Sequence, residues 1–173
     1  FNALPKKPSF PEVKKAVWSP DGKLLLGWGY LKGDGRAVIH VWNPEDGQRV
    51  SEYSYTKDGA PLITWSPDSQ TIAAGDSTQV FVWDANTGQL LSTYFSSTQD
   101  MSYCWESDGK RILTYESTDK SAEITAWDAV TGRIRTTYST KASSLQAEPS
   151  VFIPLPMLPS PDGTRIVIAL GDD

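Results

Sequence analysis

The chain has 173 residues, with 21 acidic and 16 Lys or Arg side chains and a formal net charge of −5. This is the size of one ordinary domain with room for a sizeable core. No basic run exceeds Lys6-Lys7 or Lys14-Lys15, which argues against nucleic acid, and no apolar stretch reaches the roughly 20 residues of a membrane helix. The single cysteine, Cys104, excludes an internal disulfide and is typical of a reducing compartment. We therefore expect a cytoplasmic protein with neither nucleic-acid nor membrane partners.

Residues 1–12 precede the first repeated pattern and contain Pro5, Pro8 and Pro11. Proline cannot donate a hydrogen bond to a strand ladder, so three prolines in this spacing disfavour a strand. The segment is predicted to be a linker, with an edge strand as the alternative.

Four repeated units follow, at residues 13–55, 61–95, 101–138 and 151–173, and the last is incomplete. Each consists of short apolar or alternating runs separated by turn residues, which is typical of β-strands. The predicted strands are 13–18, 24–30, 37–42 and 49–55 in the first unit; 62–65, 71–74, 79–83 and 90–95 in the second; 101–105, 111–116, 122–127 and 133–138 in the third; and 165–170 in the fourth.

The third predicted strand of each complete unit ends in a Trp followed by Asp or Asn, with a Gly a few residues later. Trp42, Trp83 and Trp127 recur at intervals of 41 and 44 residues. A period near 40 residues is a property of a whole repeat fold rather than of a local site. Their equivalence predicts that the three indoles pack between units, each burying about 150–250 Å².

A second motif runs in step with the first, in the turn between the first two strands of each unit. Pro at its second place pre-sets the backbone for a type I turn, and Asp and Gly favour its later positions. The third copy lacks the Pro, and the second has Ser in place of Gly. The four copies are Ser19-Pro20-Asp21-Gly22, Ser66-Pro67-Asp68-Ser69, Glu106-Ser107-Asp108-Gly109 and Ser160-Pro161-Asp162-Gly163.

These two interleaved motifs resemble those of the WD40-repeat family over nearly the whole chain. The resemblance implies an all-β fold, a β-propeller of four-stranded antiparallel blades, here incomplete with three blades and two strands of a fourth. It also implies a role in scaffolding or ligand sensing within a larger protein. The family's Gly-His dipeptide is absent from every repeat. The usual Asp-His-Ser/Thr-Trp hydrogen-bond network therefore cannot form, and packing between blades must depend more on apolar contact.

The fourth unit begins differently from the others. Gly132 and Ser160 lie 28 residues apart, against 19 and 18 for the matching intervals in the earlier units, and the inserted residues 141–149 are predicted to form a long exposed loop. Residues 151–159 then place three prolines in an apolar run. One interpretation is a buried extended segment that replaces the first strand. The other is a proline-rich ligand for an SH3-like partner.

Candidate binding residues come from the loops in which the units differ. In a propeller blade the first and third turns lie on one face, and the second turn and the connection to the next blade lie on the other. The first set is nearly uniform here and the second varies, so we predict that a protein or peptide partner binds the variable face. The alternative is that these are ordinary solvated turns. The candidates are Lys32, Asp34, Arg36, Lys57, Asp58, Asp76, Asp100, Asp119, Lys120 and the loop at 141–148.

Catalysis, metal binding and cofactors find little support. The one histidine, His40, occupies the place of Phe81 and Thr125 in the sister units, which indicates packing. Cys104 lies in a predicted strand beside Trp105, where a small buried thiol is expected. The sequence predicts a non-catalytic interaction module with no catalytic residue, metal or cofactor. The alternatives are part of a propeller enzyme whose catalytic residues lie outside this sequence, and a half-propeller that self-associates through its incomplete blade.

Overall fold

The structure is a computed structural model, and it describes residues 13–30, 37–55, 62–98, 101–118, 121–141, 157–160, 162 and 165–168. Every regular element among these residues is a β-strand. In chain order the strands are β1 (Val13–Trp18), β2 (Leu25–Tyr30), β3 (Ala37–Trp42), β4 (Arg49–Tyr55), β5 (Leu62–Trp65), β6 (Thr71–Gly75), β7 (Gln79–Asp84), β8 (Leu90–Phe95), β9 (Met101–Trp105), β10 (Arg111–Ser117), β11 (Ser121–Asp128), β12 (Ile134–Lys141), β13 (Met157–Pro159) and β14 (Ile166–Ile168).

The strands form three four-stranded antiparallel sheets and one two-stranded sheet, each in chain order. We call them blade 1 (β1–β4), blade 2 (β5–β8), blade 3 (β9–β12) and the half-blade (β13–β14). This arrangement confirms the predicted all-β fold of an incomplete propeller. Within the described residues, no helix is long and apolar enough to cross a membrane.

The turn between the first two strands of a blade is held by a serine hydroxyl. In blade 2, the Ser66 hydroxyl donates to the Asp68 carboxylate at 2.6 Å and accepts from the amide of Thr71 at 3.0 Å. Ser19 makes the equivalent contacts in blade 1. In blade 3, Glu106 occupies the serine position and instead pairs with the guanidinium of Arg111.

The turn between the last two strands is closed by the Asp or Asn after the repeated Trp. In blade 2, Asp84 Oδ1 accepts from the amide of Thr87 at 2.8 Å and from its hydroxyl at 2.9 Å. The amide of Gly88 donates to the carbonyl of Asp84, and Gly88 has a φ of 76°, a conformation that glycine adopts without steric cost. Blades 1 and 3 place Gly47 and Gly132 in the same conformation. These turns recur because the backbone requires them.

Neighbouring blades are joined by apolar clusters around two of the three repeated tryptophans, as the sequence predicts, whereas Trp42 is 7% exposed on blade 1 and belongs to neither cluster. Trp83 packs into the cluster between blades 1 and 2, and Trp127 into the cluster between blades 2 and 3. Polar contacts accompany them: the indole N–H of Trp65 donates to the carbonyl of Val17 on the preceding blade at 3.3 Å. Aromatic burial of this kind is a large contribution to stability.

The half-blade continues the stack. Met157 is buried in an apolar cluster with Leu113 and Tyr115 of blade 3, and β13 contacts β9. The described part of the proline-containing run is thus an extended strand packed on its neighbour. This matches the buried-segment interpretation rather than the proline-rich ligand. Residues 151–156 lie outside the described residues.

Blade 3 is longer than predicted at one end. The strand β12 continues to Lys141 instead of ending at Tyr138, and β11 begins at Ser121, so that Ser121 and Lys141 face each other. The polar alternation of β12 continues through Ser139, and the hairpin continues because its partner strand β11 also extends to accept the pairing.

Candidate partner-binding site

Of the predicted partner-binding residues, the structure describes Asp76. The others lie outside the described residues: Lys32, Asp34, Arg36, Lys57, Asp58, Asp100, Asp119 and Lys120, together with residues 142–148 of the inserted loop. Asp76 follows β6 directly, in the loop that joins β6 to β7 on the variable face.

Asp76 folds its own loop. Its Oδ1 accepts from the amide and the hydroxyl of Thr78, both at 2.7 Å, and from the amide of Gln79 at 3.1 Å. Its own amide donates to the carbonyl of Gln79 at 3.0 Å. Gly75 precedes it because a Cβ there would lie 2.2 Å from the Gln79 carbonyl oxygen. Asp76 therefore determines the shape of the loop by an Asx turn.

The connection from blade 2 to blade 3 lies against this loop. The amide of Ser96 donates to the carbonyl of Thr78 at 2.8 Å, and the amide of Met101 donates to the carbonyl of Ser77 at 3.0 Å. The two loops of blade 2 on the variable face are therefore one hydrogen-bonded unit.

Glu116, at the end of β10, joins this unit to blade 3. Glu116 as a residue is 7% exposed. It accepts from the hydroxyl of Tyr94 at 2.8 Å, from the amide of Ser97 at 3.1 Å and from the hydroxyl of Ser97 at 2.9 Å. A buried carboxylate is stable only when its oxygens are hydrogen-bonded in this way. We call residues 76–79, 96–98 and 116–118 the loop platform.

Sequence reasoning did not select Glu116. Comparison of the repeats contains a signal for this residue. Ile72 and Ile112 both pair with the repeated Trp of their blade, and Asp76 and Glu116 each lie four residues after that isoleucine, so the two acids are equivalent. An acid at this place in two successive blades marks the end of the second strand as polar. The burial of Glu116, however, depends on the loop that follows the preceding blade.

Tyr94 shows how Glu116 changes a repeated contact. Its ring stacks on Trp127, with centroids 5.3 Å apart and planes at 14°. Tyr53, the equivalent residue of blade 1, instead donates its hydroxyl to the carbonyl of Asp84, in the turn between β7 and β8, at 2.9 Å. Burial, together with the neighbouring Glu116 carboxylate, raises the pKa of Tyr94. Its hydroxyl therefore remains a donor to Glu116 at neutral pH.

The residues considered for catalysis are held in structural contacts. His40 Nε2 lies 2.9 Å from a carboxylate oxygen of Glu52 on the next strand, and its ring lies edge-on to Trp42. Burial lowers the pKa of His40, and the Glu52 carboxylate opposes that shift. Burial raises the pKa of the Cys104 thiol to about 12, so the nucleophilic thiolate is scarce at neutral pH. No cluster of His, Cys, Asp and Glu in the described part of the chain could hold a metal ion.

Comparison with known sequences places the chain near WD-repeat proteins. No protein-family model matches it. The WD repeat-containing protein 26 homolog of Drosophila melanogaster is 26% identical over 112 residues, covering 59% of this chain and 17% of the fly protein. The Topless-related protein 4 of Arabidopsis thaliana is 30% identical over 88 residues, covering 47% of this chain and 7% of the plant protein. The chain thus spans less than a fifth of either relative.

Solved structures show the same fold. The WD40 domain of coronin from Toxoplasma gondii aligns with a TM-score of 0.67 at 14% identity, over 94% of this chain and 40% of that one. The Dos1 propeller aligns with a TM-score of 0.65 at 14% identity, over 90% of this chain and 38% of that one. Both neighbours are propellers, and their aligned parts are less than half of each.

Proposed function

Because the repeats of this chain are WD40 repeats of an incomplete β-propeller, we propose that it is part of a non-catalytic interaction module. The module binds a protein or peptide partner on the face formed by the loops between the second and third strands and between blades. The relatives and structural neighbours of this chain contain WD repeats or propellers, and a rigid scaffold that holds loops on one face is a common way to build a binding surface.

The observation that carries the proposal is the loop platform. Partner recognition is favoured by loops whose conformation is set before binding, because less conformational entropy is then lost. Asp76 folds one loop, two amide–carbonyl bonds dock the second loop on it, and the carboxylate of Glu116 ties that second loop to the next blade. The turns of the opposite face repeat from blade to blade and offer little that is specific.

Charged residues predicted to flank this platform supply the specificity. These are Asp100, Asp119 and Lys120 near blades 2 and 3, with Lys32, Asp34, Arg36, Lys57 and Asp58 nearer blade 1. A partner with groups of both charges is therefore expected. We place the module in the cytoplasm because its sequence contains a single cysteine, which is typical of a reducing compartment.

Selected peptides test which face binds. Random peptides displayed on phage would be selected on the whole chain, and their affinities measured by fluorescence anisotropy. The double variant Asp119→Lys/Lys120→Glu should weaken selected peptides by about tenfold or more. The matched control is Glu45→Lys/Lys110→Glu, two exposed positions in turns of the opposite face, which should change affinity by about twofold at most. If the selected peptides lost affinity only for the control variant, the partner would bind the opposite face and the proposal would be wrong.

A further inference from the structure

The two blade interfaces differ at one side chain on the third strand of the later blade. Phe81 on β7 and Thr125 on β11 are equivalent, because each lies two residues before the repeated Trp. Phe81 stacks on Trp83, with ring centroids 5.6 Å apart and planes at 24°. Thr125 is 3% exposed and has no ring. Trp127 therefore receives no aromatic contact from its own strand at this position.

The tyrosine of the preceding blade lies differently in the two interfaces. Tyr94 of blade 2 lies nearly flat on Trp127, with the ring planes at 14°. Tyr53, its equivalent in blade 1, meets Trp83 at a tilt of 37°. The tyrosine thus lies flat on the indole where the third strand lacks a second ring, and it tilts where that ring is present.

The orientation of the tyrosine decides which face of the propeller its hydroxyl contacts. The hydroxyl of Tyr94 donates to the carboxylate of Glu116, on the variable face, at 2.8 Å. The hydroxyl of Tyr53 donates to the carbonyl of Asp84, in a turn of the opposite face, at 2.9 Å. The same aromatic position therefore holds a repeated turn in one interface and the loop platform in the next.

Thr125 belongs to a row of threonines on one face of blade 3. It pairs with Thr114 on β10 and with Thr137 on β12. Burial, followed by the Glu116 carboxylate, raises the pKa of Tyr94, and hydrogen bonds with the side chains of Thr114 and Thr125 oppose that rise. These contacts place two small side chains of the row beside the phenol group of Tyr94.

We infer that Thr125 is a positioning residue of the loop platform. Its small side chain leaves room for Tyr94 to lie flat on Trp127, and from there the Tyr94 hydroxyl reaches one oxygen of Glu116. The other oxygen of that carboxylate accepts from the amide and the hydroxyl of Ser97, in the connection between blades 2 and 3. Thr125 thus acts through Tyr94 and Glu116 on a loop of the proposed partner-binding face.

An acid at the end of the second strand does not by itself tie two blades together. Asp76 is the equivalent of Glu116, yet its blade has Phe81 in the place of Thr125, and the carboxylate of Asp76 folds its own loop. The tie between blades requires the acid and the small residue together. The effect of Thr125 on a partner rests on the proposed function, whereas its effect on the loop does not.

Hydrogen exchange of the Ser97 amide, followed by NMR in the whole chain without any partner, tests the inference. Thr125→Phe gives blade 3 the side chain of blade 2. It should speed exchange of this amide by about tenfold or more, because Glu116 then loses its hydrogen bond from Tyr94. The amide of Gln79, in the neighbouring loop, is the internal reference and should change by about twofold at most.

The matched control is Thr125→Val, which keeps the shape of the side chain and adds no ring. It should leave exchange of the Ser97 amide within about threefold of the unchanged chain. Thr125→Leu, which adds less bulk than Phe, takes its place if Thr125→Phe does not fold. Equal exchange of Ser97 in the unchanged and Thr125→Phe chains, or equal acceleration at Ser97 and Gln79, overturns the inference.

A double substitution tests whether Thr125 acts through the tyrosine hydroxyl. Tyr94→Phe keeps the ring and removes the hydroxyl. Adding Thr125→Phe to Tyr94→Phe should speed exchange of the Ser97 amide by less than about twofold further, because the two changes remove the same contact. An undiminished effect of Thr125→Phe in the Tyr94→Phe chain would show that Thr125 does not act through Tyr94, and would overturn the inference.

Peptides selected on the whole chain separate this inference from the proposed function. Faster exchange at Ser97 together with affinity lowered by about threefold or more in Thr125→Phe supports both, because the loop is then less ordered before binding. Faster exchange with unchanged affinity supports Thr125 as the positioning residue of the loop and contradicts partner binding at residues 96–98.

Discussion

At the scale of single residues, the most informative side chain is Glu116. It belongs to blade 3 and accepts one hydrogen bond from Tyr94 of blade 2 and two from Ser97 in the connection that follows blade 2. A carboxylate in this position joins two blades and one loop at a single point. The contribution of this carboxylate to the free energy of unfolding is best measured by a substitution that removes its charge and keeps its shape.

Replacing Glu116 with Gln should destabilise the chain by about 1–3 kcal/mol, because the amide cannot accept on both of its terminal atoms and a buried donor loses its partner. Urea unfolding measures the change. The control Glu123→Gln alters an exposed residue that faces Glu116 on the adjacent strand, and it should cost less than about 0.5 kcal/mol. Equal losses of stability for the two substitutions would show that the hydrogen bonds of Glu116 do not stabilise the fold.

Cys104 gives a prediction about pH. Burial raises the pKa of its thiol to about 12, above the value of about 8.5 expected in the unfolded chain. The folded state therefore holds this proton more tightly. The contribution of this pKa difference to the free energy of unfolding is fully present below pH 8.5 and is lost as the pH rises towards 12.

Unfolding measured between pH 7 and pH 10.5 should thus show a decline above pH 8.5 that is shallower in Cys104→Ala. Native Cys104 should also resist iodoacetamide at pH 8, and urea-unfolded chain should react readily. Cys104 is partly buried, so alkylation of the native chain as rapid as that of the unfolded chain would contradict this shielding of the thiol.

At the scale of elements, the short loop between β6 and β7 depends on Gly75. A Cβ at this position would lie 2.2 Å from the backbone oxygen of Gln79, so Gly75→Ala should force the loop apart and destabilise the chain by about 1–3 kcal/mol. Ser77→Ala in the same loop serves as the control and should have an effect within about 0.5 kcal/mol. Thermal and urea unfolding compare the two; a Gly75→Ala chain as stable as the control contradicts the loop geometry.

Strands and turns were the predictable part of this structure. The predicted strands at β1, β3 and β9 coincide with the observed ones, because alternating apolar residues and Ser-Pro-Asp-Gly turns are local signals. The extension of β12 to Lys141 was missed, since it depends on the length of its partner β11. Local pattern contains no information about that pairing.

The candidate site was less predictable than the fold. Loop variability selected Asp76 as a candidate binding residue, which stays a prediction, and it did not reveal that this carboxylate folds its own turn. Glu116 and the contact of His40 with Glu52 were also missed, because each joins residues that the fold, rather than the sequence, brings together. The remaining predicted binding residues lie outside the described part of the chain and remain predictions.

At the scale of the whole molecule, stability comes from the stacking of blades on repeated aromatic residues. Trp83 is 7% exposed between blades 1 and 2, whereas Trp18, at the end of β1, is 55% exposed. The two tryptophans therefore provide a direct comparison of a packed and an unpacked position in one molecule.

Trp83→Ala should destabilise the chain by about 3–5 kcal/mol through loss of a large core side chain. Trp18→Ala should cost less than about 1 kcal/mol, because the exposed ring makes fewer contacts. Calorimetry and urea unfolding determine both values. Similar losses for the two substitutions would contradict the stacked-blade architecture.

Repeated turns build the frame of this protein, and we propose that the variable loops bind the partner. Hydrogen exchange of the whole chain, with and without a selected peptide, tests this claim most directly. We predict that bound peptide slows exchange of amides at 76–79 and 96–98 and leaves the turns at 19–22, 66–69 and 84–88 unchanged. Protection confined to those turns, with the loop platform unaffected, would contradict it.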